Sequence, residues 1–526
     1  MAKYSNLIAA IKAVVKTSGA QEITGQNLQT TLTTMVDKLG AGFQYGGVVA
    51  PTDTFDSARW GDVRIAFLAC IAGTYTNYGG FTLTEGQVAV ITYDGTWMLN
   101  VIYANSQIYG VRHYFTQSSP DLTRIGSADL HRTLPVQSQM RRCVVNDLGV
   151  VQYYLDANDS TKKADGTAAT LDGTDGQVMV EIPAHYRRCT LNADENTMDV
   201  EISLYPFEGA VACPRRLVGA YEAALDRTNS KLASVVNTTA QYRGGGNTAN
   251  WDGTYKSLLG LPATNISLTK FRTYGRNRGT GWGCYDYNAH LDLFWLFCIE
   301  YATLNSQKDF DSTLTAEGFH KGGLGPGVSN FSNWSAYNGY NPIIPCGFTN
   351  SLGNKTGVKT FTLTEAQAEA YGGAHSESVP SYRGVENPFG HIWKWTDGFL
   401  GVGNGTYQEV WVCRDPSKYA SSVTSDYVDM GHEATANGYC KAIIASDADL
   451  SQALRAYGDI FDRDDSGSAS TYFCDYHYHA NAADTTYGLL VGGSAVYGSN
   501  DGLADLGADV VPASAGVNFG SRLCWS

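Results

Sequence analysis

Residues Ser466 to Ser526 read SGSASTYFCDYHYHANAADTTYGLLVGGSAVYGSNDGLADLGADVVPASAGVNFGSRLCWS. The stretch is rich in Tyr, Ser, Gly, Ala, Asn and Asp. Tyr supplies rigid amphipathic contact area, and Ser, Gly and Asn supply adaptable hydrogen bonding, so this is the composition of a binding surface. From Ala453 to Cys524 there is no Lys, Glu, Gln, Met or Trp. Those are the five types that no triplet ending in C or T encodes. AAC or AAT codons randomised at their adenines reach the other common types and never these. Two readings follow. Either a loop-rich lobe of small residues lacks them by chance, or part of the tail was written by adenine-directed mutagenesis. The second has a use only where the tail meets a changing partner.

Outward from the tail, the totals set the class. At 526 residues the chain is long enough for two or more domains with a sizeable core. Charged residues are 17%, aromatics 12%, and there are 33 Tyr, which describes a folded chain with much aromatic surface. A net charge of −14 disfavours nucleic acid and anionic membrane as partners. The 11 cysteines show no zinc spacing and no CxxC, so free buried thiols are expected. Lys12 and Lys16 interrupt the apolar N-terminal patch, which does not read as a signal peptide. No apolar run reaches the roughly 18 residues of a membrane span.

Taken in order, residues 4–17 carry Leu7, Ile8, Ile11, Val14 and Val15 at helical spacing. A second helix starts near Thr24 or Asn27 and ends at Gly40. Helices this short cannot bury their apolar faces alone, and residues 1–44 are read as an attachment or oligomerisation segment. Residues 45–105 form a small β module, with strands at Ile65–Ile71, Phe81–Thr84, Gln87–Thr92 and Thr96–Ile102. Residues 106–205 are a second β-rich region, with a hairpin over Cys143–Leu155 and a buried strand at Gln177–Pro183. Residues 206–526 follow as the ligand-binding domain. Its clearest helix runs from Asn288 to Asn305, apolar nearly all round and therefore buried. Thr364–Tyr371 reads as a short second helix.

Catalytic and metal motifs are scarce. Gly322–Gly327 is only a glycine-rich loop, not a phosphate cradle. Asp462-Arg-Asp464-Asp-Ser466-Gly467 resembles the start of a calcium loop, but Phe473 stands where the bidentate Glu belongs. His477 and His479 alternate with Tyr476 and Tyr478, so on a strand both imidazoles point one way. Two His without a third ligand argue weakly for metal, and both are read as surface contacts. No cofactor, metal or catalytic residue is expected.

Tyr382-Arg-Gly-Val-Glu-Asn-Pro-Phe-Gly-His-Ile-Trp-Lys-Trp-Thr-Asp-Gly398 is the most specific signature. It resembles the N-x-x-G-x-x-W-x-W segment of the formylglycine-generating-enzyme branch of the C-type lectin fold. Leu489–Ser494 and Asn518–Leu523 resemble that branch's closing strands, although the first lacks the usual arginine. Enzymes of the branch carry two reactive cysteines after the Gly-Gly-Ser strand, and here Tyr497 and Gly502 occupy the equivalent positions. The resemblance therefore implies the fold and argues against that chemistry. Val491–Leu503 and Asn518–Leu523 more closely resemble the closing text of variable proteins of diversity-generating retroelements, especially from Bacteroides-type phages and prophages. Gln21–Gln26 and Gly73–Gly80 resemble attachment modules of phage tail fibres.

The resemblance implies an α+β chain: a C-type lectin-like fold at the C-terminus, preceded by the small β module and short N-terminal helices. The implied role is a phage or prophage receptor-binding protein. It would be carried on the virion tail, made in the bacterial cytoplasm without a signal peptide, and homotrimeric. Its expected partners are tail or baseplate proteins and a host cell-surface receptor, either a glycan or an outer-membrane protein. The variable region is expected at about 472–519. The residues expected to face the ligand are Tyr476, His477, Tyr478, His479, Asn481, Ser494, Val496, Tyr497, Ser499, Asn500, Asp501, Leu503, Asp505 and Asp509, every one of a type reachable from an adenine-rich codon. Asn387, Phe389, Trp393 and Trp395 are expected to be scaffold. A divergent formylglycine-type oxidoreductase and a non-variable adhesin or structural fibre remain the alternatives.

Overall fold

The computed structural model describes residues 43–60, 64–69, 71–83, 88–103, 107–252, 257–363 and 374–526. Both N-terminal helices and the helix expected at Thr364–Tyr371 lie outside the described residues. The chain is mixed, with more strand than helix.

The small β module is a four-stranded sheet. Gln44–Val49 pairs parallel with Ile65–Ala69, which continues antiparallel into Val88–Tyr93 and Trp97–Tyr103. The last two strands are joined through Asp94-Gly95, where Gly95 takes a φ of +95°. Alternation buries Ile65, Phe67, Ala69, Ala89 and Ile91, and Tyr75 and Tyr78 close over them.

From residue 107 onward one large hydrophobic cluster, with smaller ones beside it, organises the chain. The helix Tyr287–Tyr301 runs through it with every residue buried. Asp286 starts the helix by accepting the Ala289 N–H at 2.8 Å. The helix stops four residues short of the expected Asn305. Ala302 turns left-handed at φ +52°, and the Leu304 N–H leaves to bond the Pro120 carbonyl. Its buried carboxylates are paired. Asp292 holds Arg187 at 2.6 Å and Arg216 at 3.0 Å. Glu300 accepts Arg383 at 2.6 and 3.0 Å and the Tyr382 hydroxyl at 3.1 Å. These pairs let a helix that is apolar nearly all round carry charge in a dry interior.

The helix packs on the strands Tyr109–Tyr114 and Thr197–Ser203 of a five-stranded sheet and on the Trp393–Gly403 strand, and two further sheets organise the chain around this core. One has six strands in the order Val151–Tyr154, Arg141–Val145, Gln177–Ile182, Arg216–Gly219, Leu523–Trp525, Trp282–Cys284. It contains the expected 143–155 hairpin and the expected strand at 177–182. It also crosses the boundary drawn at 205/206: Gln177–Ile182 pairs with Arg216–Gly219, and one hydrophobic cluster draws residues from Tyr109 to Cys524. Periodicity locates strands but not their partners.

The sheet that positions the tail is eight-stranded. Its order is Val428–His432, Gln408–Val412, Trp393–Gly403, Thr485–Val491, Leu506–Val510, Tyr476–His479, Gly438–Tyr439, with Phe519–Gly520 added in parallel to Trp393 and Lys394. Both stretches expected to close the fold thus flank the Trp393–Gly403 strand. Arg522 locks them: its buried guanidinium donates to the Glu386 and Asn387 carbonyls, and to Gly219 O at 3.2 Å. Asn387, Phe389, Trp393 and Trp395 are all buried, as scaffold should be.

Candidate ligand-binding face

The Tyr476–His479 strand pairs in parallel with Leu506–Val510 on one side and antiparallel with Gly438–Tyr439 on the other. Strand alternation sends its side chains to opposite faces. Tyr476 and Tyr478 reach the outer face, half-buried, and His477 and His479 turn inward. The tyrosines form a ladder. Tyr439 meets Tyr476 edge-on at 5.2 Å, Tyr476 meets Tyr478 at 4.6 Å, and Tyr478 meets Tyr497 at 5.7 Å. Trp393 lies beneath, 4% exposed, with its ring 6.0 Å from Tyr478 and 5.6 Å from Tyr497, both edge-on. Edge-to-face contacts of this kind add to area burial and hold rings in one orientation.

Polar groups stitch the ladder to the 498–500 turn. The Tyr439 hydroxyl donates to Asn500 Oδ1 at 2.8 Å and lies 3.1 Å from Ser499 Oγ. Asn500 Nδ2 donates to the Tyr478 hydroxyl oxygen at 2.7 Å, which leaves that hydroxyl's hydrogen free to point outward. Burial and the Asp505 carboxyl push the Tyr478 and Tyr497 hydroxyls up, so both stay protonated. Tyr497 is 38% exposed, Ser499 and Asp509 are exposed, and Asn500 is half-buried. The result is an aromatic shelf with a rim of amide and hydroxyl groups, fixed before any partner arrives.

Of the fourteen residues expected to face a ligand, the structure gathers Tyr476, Tyr478, Tyr497, Ser499 and Asn500 into this shelf. Asp509 is exposed on the adjoining strand. Asn481 is engaged elsewhere, donating to the Thr406 carbonyl at 2.9 Å. Val496 packs, half-buried, against a separate cluster around Phe331 and Trp334.

Six expectations need correction, because these side chains are buried: His477, His479, Ser494, Asp501, Leu503 and Asp505. Leu503 belongs to the main core. His477 Nε2 meets the Ala504 carbonyl at 2.6 Å, and His479 Nδ1 lies 3.4 Å from Glu433. Asp501 and Asp505 crowd Gly493. A Cβ there would stand 1.8 Å from Asp501 Oδ1 and 2.5 Å from Asp505 Oδ2, so only glycine, at φ +71°, fits between them. Burial holds both carboxyls well above the carboxylate range, opposed in part by Lys394. Triplet chemistry marks the types a codon can reach and is blind to which way a side chain points.

Tyr439 escaped the sequence reading. It lies outside the compositionally biased tail and joins the shelf only through strand pairing. The calcium-loop resemblance at 462–467 also dissolves. Asp462–Asp464 is a strand, Asp464 pairs with Lys441 at 3.0 Å, and Asp462 is buried.

Among solved structures similar to this chain, the Major Tropism Determinant U1 variant is 10% identical over 85% of this chain and 82% of that chain, at a TM-score of 0.24. The M1 variant is 11% identical over 92% and 98%, at 0.25. No family model and no curated protein sequence matches the chain. At such TM-scores the likeness carries no weight for function, which rests on the shelf itself.

A cleft of about 700 Å³ lies elsewhere, lined by Arg272, Asp286, Asp397, Tyr419, Cys524 and Ser526 among others, and it shares no residue with the shelf. Its Arg272 and Asp397 neutralise each other through contacts of 2.6 and 2.8 Å. Cys284 and Cys524 line it as thiols pushed well up by burial. All ten described cysteines are buried and free. Protonated thiols are poor nucleophiles.

Proposed function

We propose that the chain is a phage or prophage receptor-binding protein, and that its tyrosine shelf, carried on a C-type lectin-like domain, docks a ligand on the host cell surface. The single observation that carries this is the ladder Tyr439–Tyr476–Tyr478–Tyr497 with its Ser499 and Asn500 rim. Aromatic faces with few rotatable bonds bind at low entropic cost, and the interlocked rings have already met most of that cost. Side chains on the outer face can be exchanged while His477, Asp501 and Asp505 beneath keep the backbone in place. That is the arrangement a diversified surface between about 472 and 519 requires. Attachment through residues 1–44 and the small β module, and trimerisation, complete the reading. Several copies on one particle would then turn weak single contacts into avidity.

The raised thiols and paired cleft charges favour binding over the oxidoreductase alternative. The test is cell binding. Fluorescent full-length chain is titrated onto a panel of intact bacterial cells, alongside Tyr478→Ala and Tyr497→Ala. Binding to a subset of strains, weakened at least tenfold by either change in a folded protein, is expected. Strain-specific binding unaffected by both changes would move the receptor site off the shelf.

A further inference from the structure

We propose that Cys440, Asp462 and His477 form a buried zinc site directly beneath the tyrosine shelf. The three come from separate segments: the residue after the Gly438–Tyr439 strand, the Asp462–Asp464 strand and the shelf strand itself. All three are buried, and their ligand atoms lie within 4.8 Å of one another. Tetrahedral bonds of about 2.0–2.3 Å place ligand atoms roughly 3.3–3.8 Å apart, so closure by about 1 Å suffices.

The hydrogen bonding leaves the right atoms bare. His477 Nε2 sits 2.6 Å from the Ala504 carbonyl, which obliges that nitrogen to carry the proton and turns the Nδ1 lone pair inward. Nδ1 has no hydrogen-bond partner. Asp462 Oδ1 accepts the Asp464 N–H at 3.0 Å, while Oδ2 has none. The Cys440 thiol donates to the Ala442 carbonyl at 3.5 Å and also lies in hydrogen-bonding contact with the Asp462 carboxyl, so sulfur and carboxyl already face one another. Buried polar atoms left this way are costly unless something fills the space between them.

A divalent cation does so with balanced charge. Binding releases the thiol proton to solvent, and a thiolate, a carboxylate and a neutral imidazole around Zn²⁺ sum to zero. The sulfur and nitrogen donors select zinc over calcium, which takes oxygen. The Ala504 carbonyl on the far ring nitrogen is the outer partner that metal-binding histidines use. The other comparable cluster, His185, Cys213 and Asp292, lacks this character because Arg187 and Arg216 already occupy its carboxylate. A zinc ion at Cys440 would pin the shelf strand from below while leaving Tyr476 and Tyr478 free on its outer side.

The experiment is metal analysis of the full chain, stripped with a chelator and then titrated with Zn²⁺ and with Co²⁺. The expected results are about one bound zinc per chain, an intense thiolate-to-cobalt absorption band, and a zinc-dependent rise in Tm. Cys440→Ser should abolish the cobalt band, and His477→Gln should weaken binding at least tenfold. Cys213→Ser should change neither. If either shelf variant fails to fold, the wild-type stoichiometry and cobalt spectrum decide alone. A folded wild-type chain that takes up no zinc, or binds cobalt without the thiolate band, overturns the site. So does a cobalt band that survives Cys440→Ser.

Discussion

Replacing Trp393 with alanine removes the floor of the shelf, and the structure sets the size of the effect. The ring is 4% exposed and packs in the cluster holding Trp395, Leu490 and Phe271. Gly507 brings its Cα face within van der Waals range of the ring, 3.5 Å for a Cβ placed there, so the neighbouring backbone has no side chain to fill the void. Burying a Trp of this kind is worth about 3–5 kcal/mol against alanine. Part of that is the two edge-on contacts with Tyr478 and Tyr497, at about 0.5–1.5 kcal/mol each. If residues 107–526 melt together, an unfolding entropy of about 2.1 cal/mol/K per residue converts the loss to a fall in Tm of roughly 3–6 °C. Tyr497→Ala is the contrast. With 38% of the residue exposed, the apolar surface it loses is worth about 1–2 kcal/mol, a shift of only one or two degrees. Its binding loss should be the larger effect, about 2 kcal/mol or roughly thirtyfold for a central aromatic contact. Calorimetry and urea titration of both variants, with cell binding in parallel, separate floor from surface. Equal thermal midpoints for Trp393→Ala and the parent chain would refute the packing argument. A Tyr497→Ala variant as destabilised as Trp393→Ala would refute the division of roles.

Glu300→Ala should cost about 2–4 kcal/mol in urea titration, because it removes a fully buried carboxylate and strands the half-buried Arg383 guanidinium, and adding Arg383→Met should recover part of the loss. Burial lowers the His113 imidazole to about 4, and neither ring nitrogen has a hydrogen-bond partner. Below its unfolded value near 6.5 the unfolded chain takes the proton and the folded chain does not, so stability falls with acid from there down to about pH 4. The share from His113 is about 2–3 kcal/mol at pH 4.5, and His113→Leu should flatten the acid limb of the Tm profile by that amount. Sequencing the locus from sibling isolates should find differences at Tyr476, Tyr478, Tyr497, Ser499, Asn500 and Asp509. His477, Asp501 and Asp505 should stay constant, and an invariant tail would remove the diversification reading.

Much of this molecule is written in local pattern. Asp286 followed by an apolar run from Tyr287 to Tyr301 specifies a buried helix whatever surrounds it, because capping and hydrophobicity act over a few residues. The alternation in Ile65–Ala69 and in Gln177–Ile182 likewise settles strand before any partner is known. The Tyr-His-Tyr-His run declares two faces but not their sense. Tyrosine and histidine are both amphipathic, so either pair can go inward. Tertiary packing made the choice. Ala504, Cys440 and Asp462 wait on one side of the strand, and Tyr439, Tyr497 and Asn500 on the other. Asp501 and Asp505 turn inward for the same kind of reason, since Gly493 leaves room only there. Composition between Ala453 and Cys524 marked the region that carries the shelf. Which of its side chains reach solvent depends on neighbours far off in sequence, some from residues 393–464 and some from the tail's own turns, and no periodicity within the tail encodes those contacts.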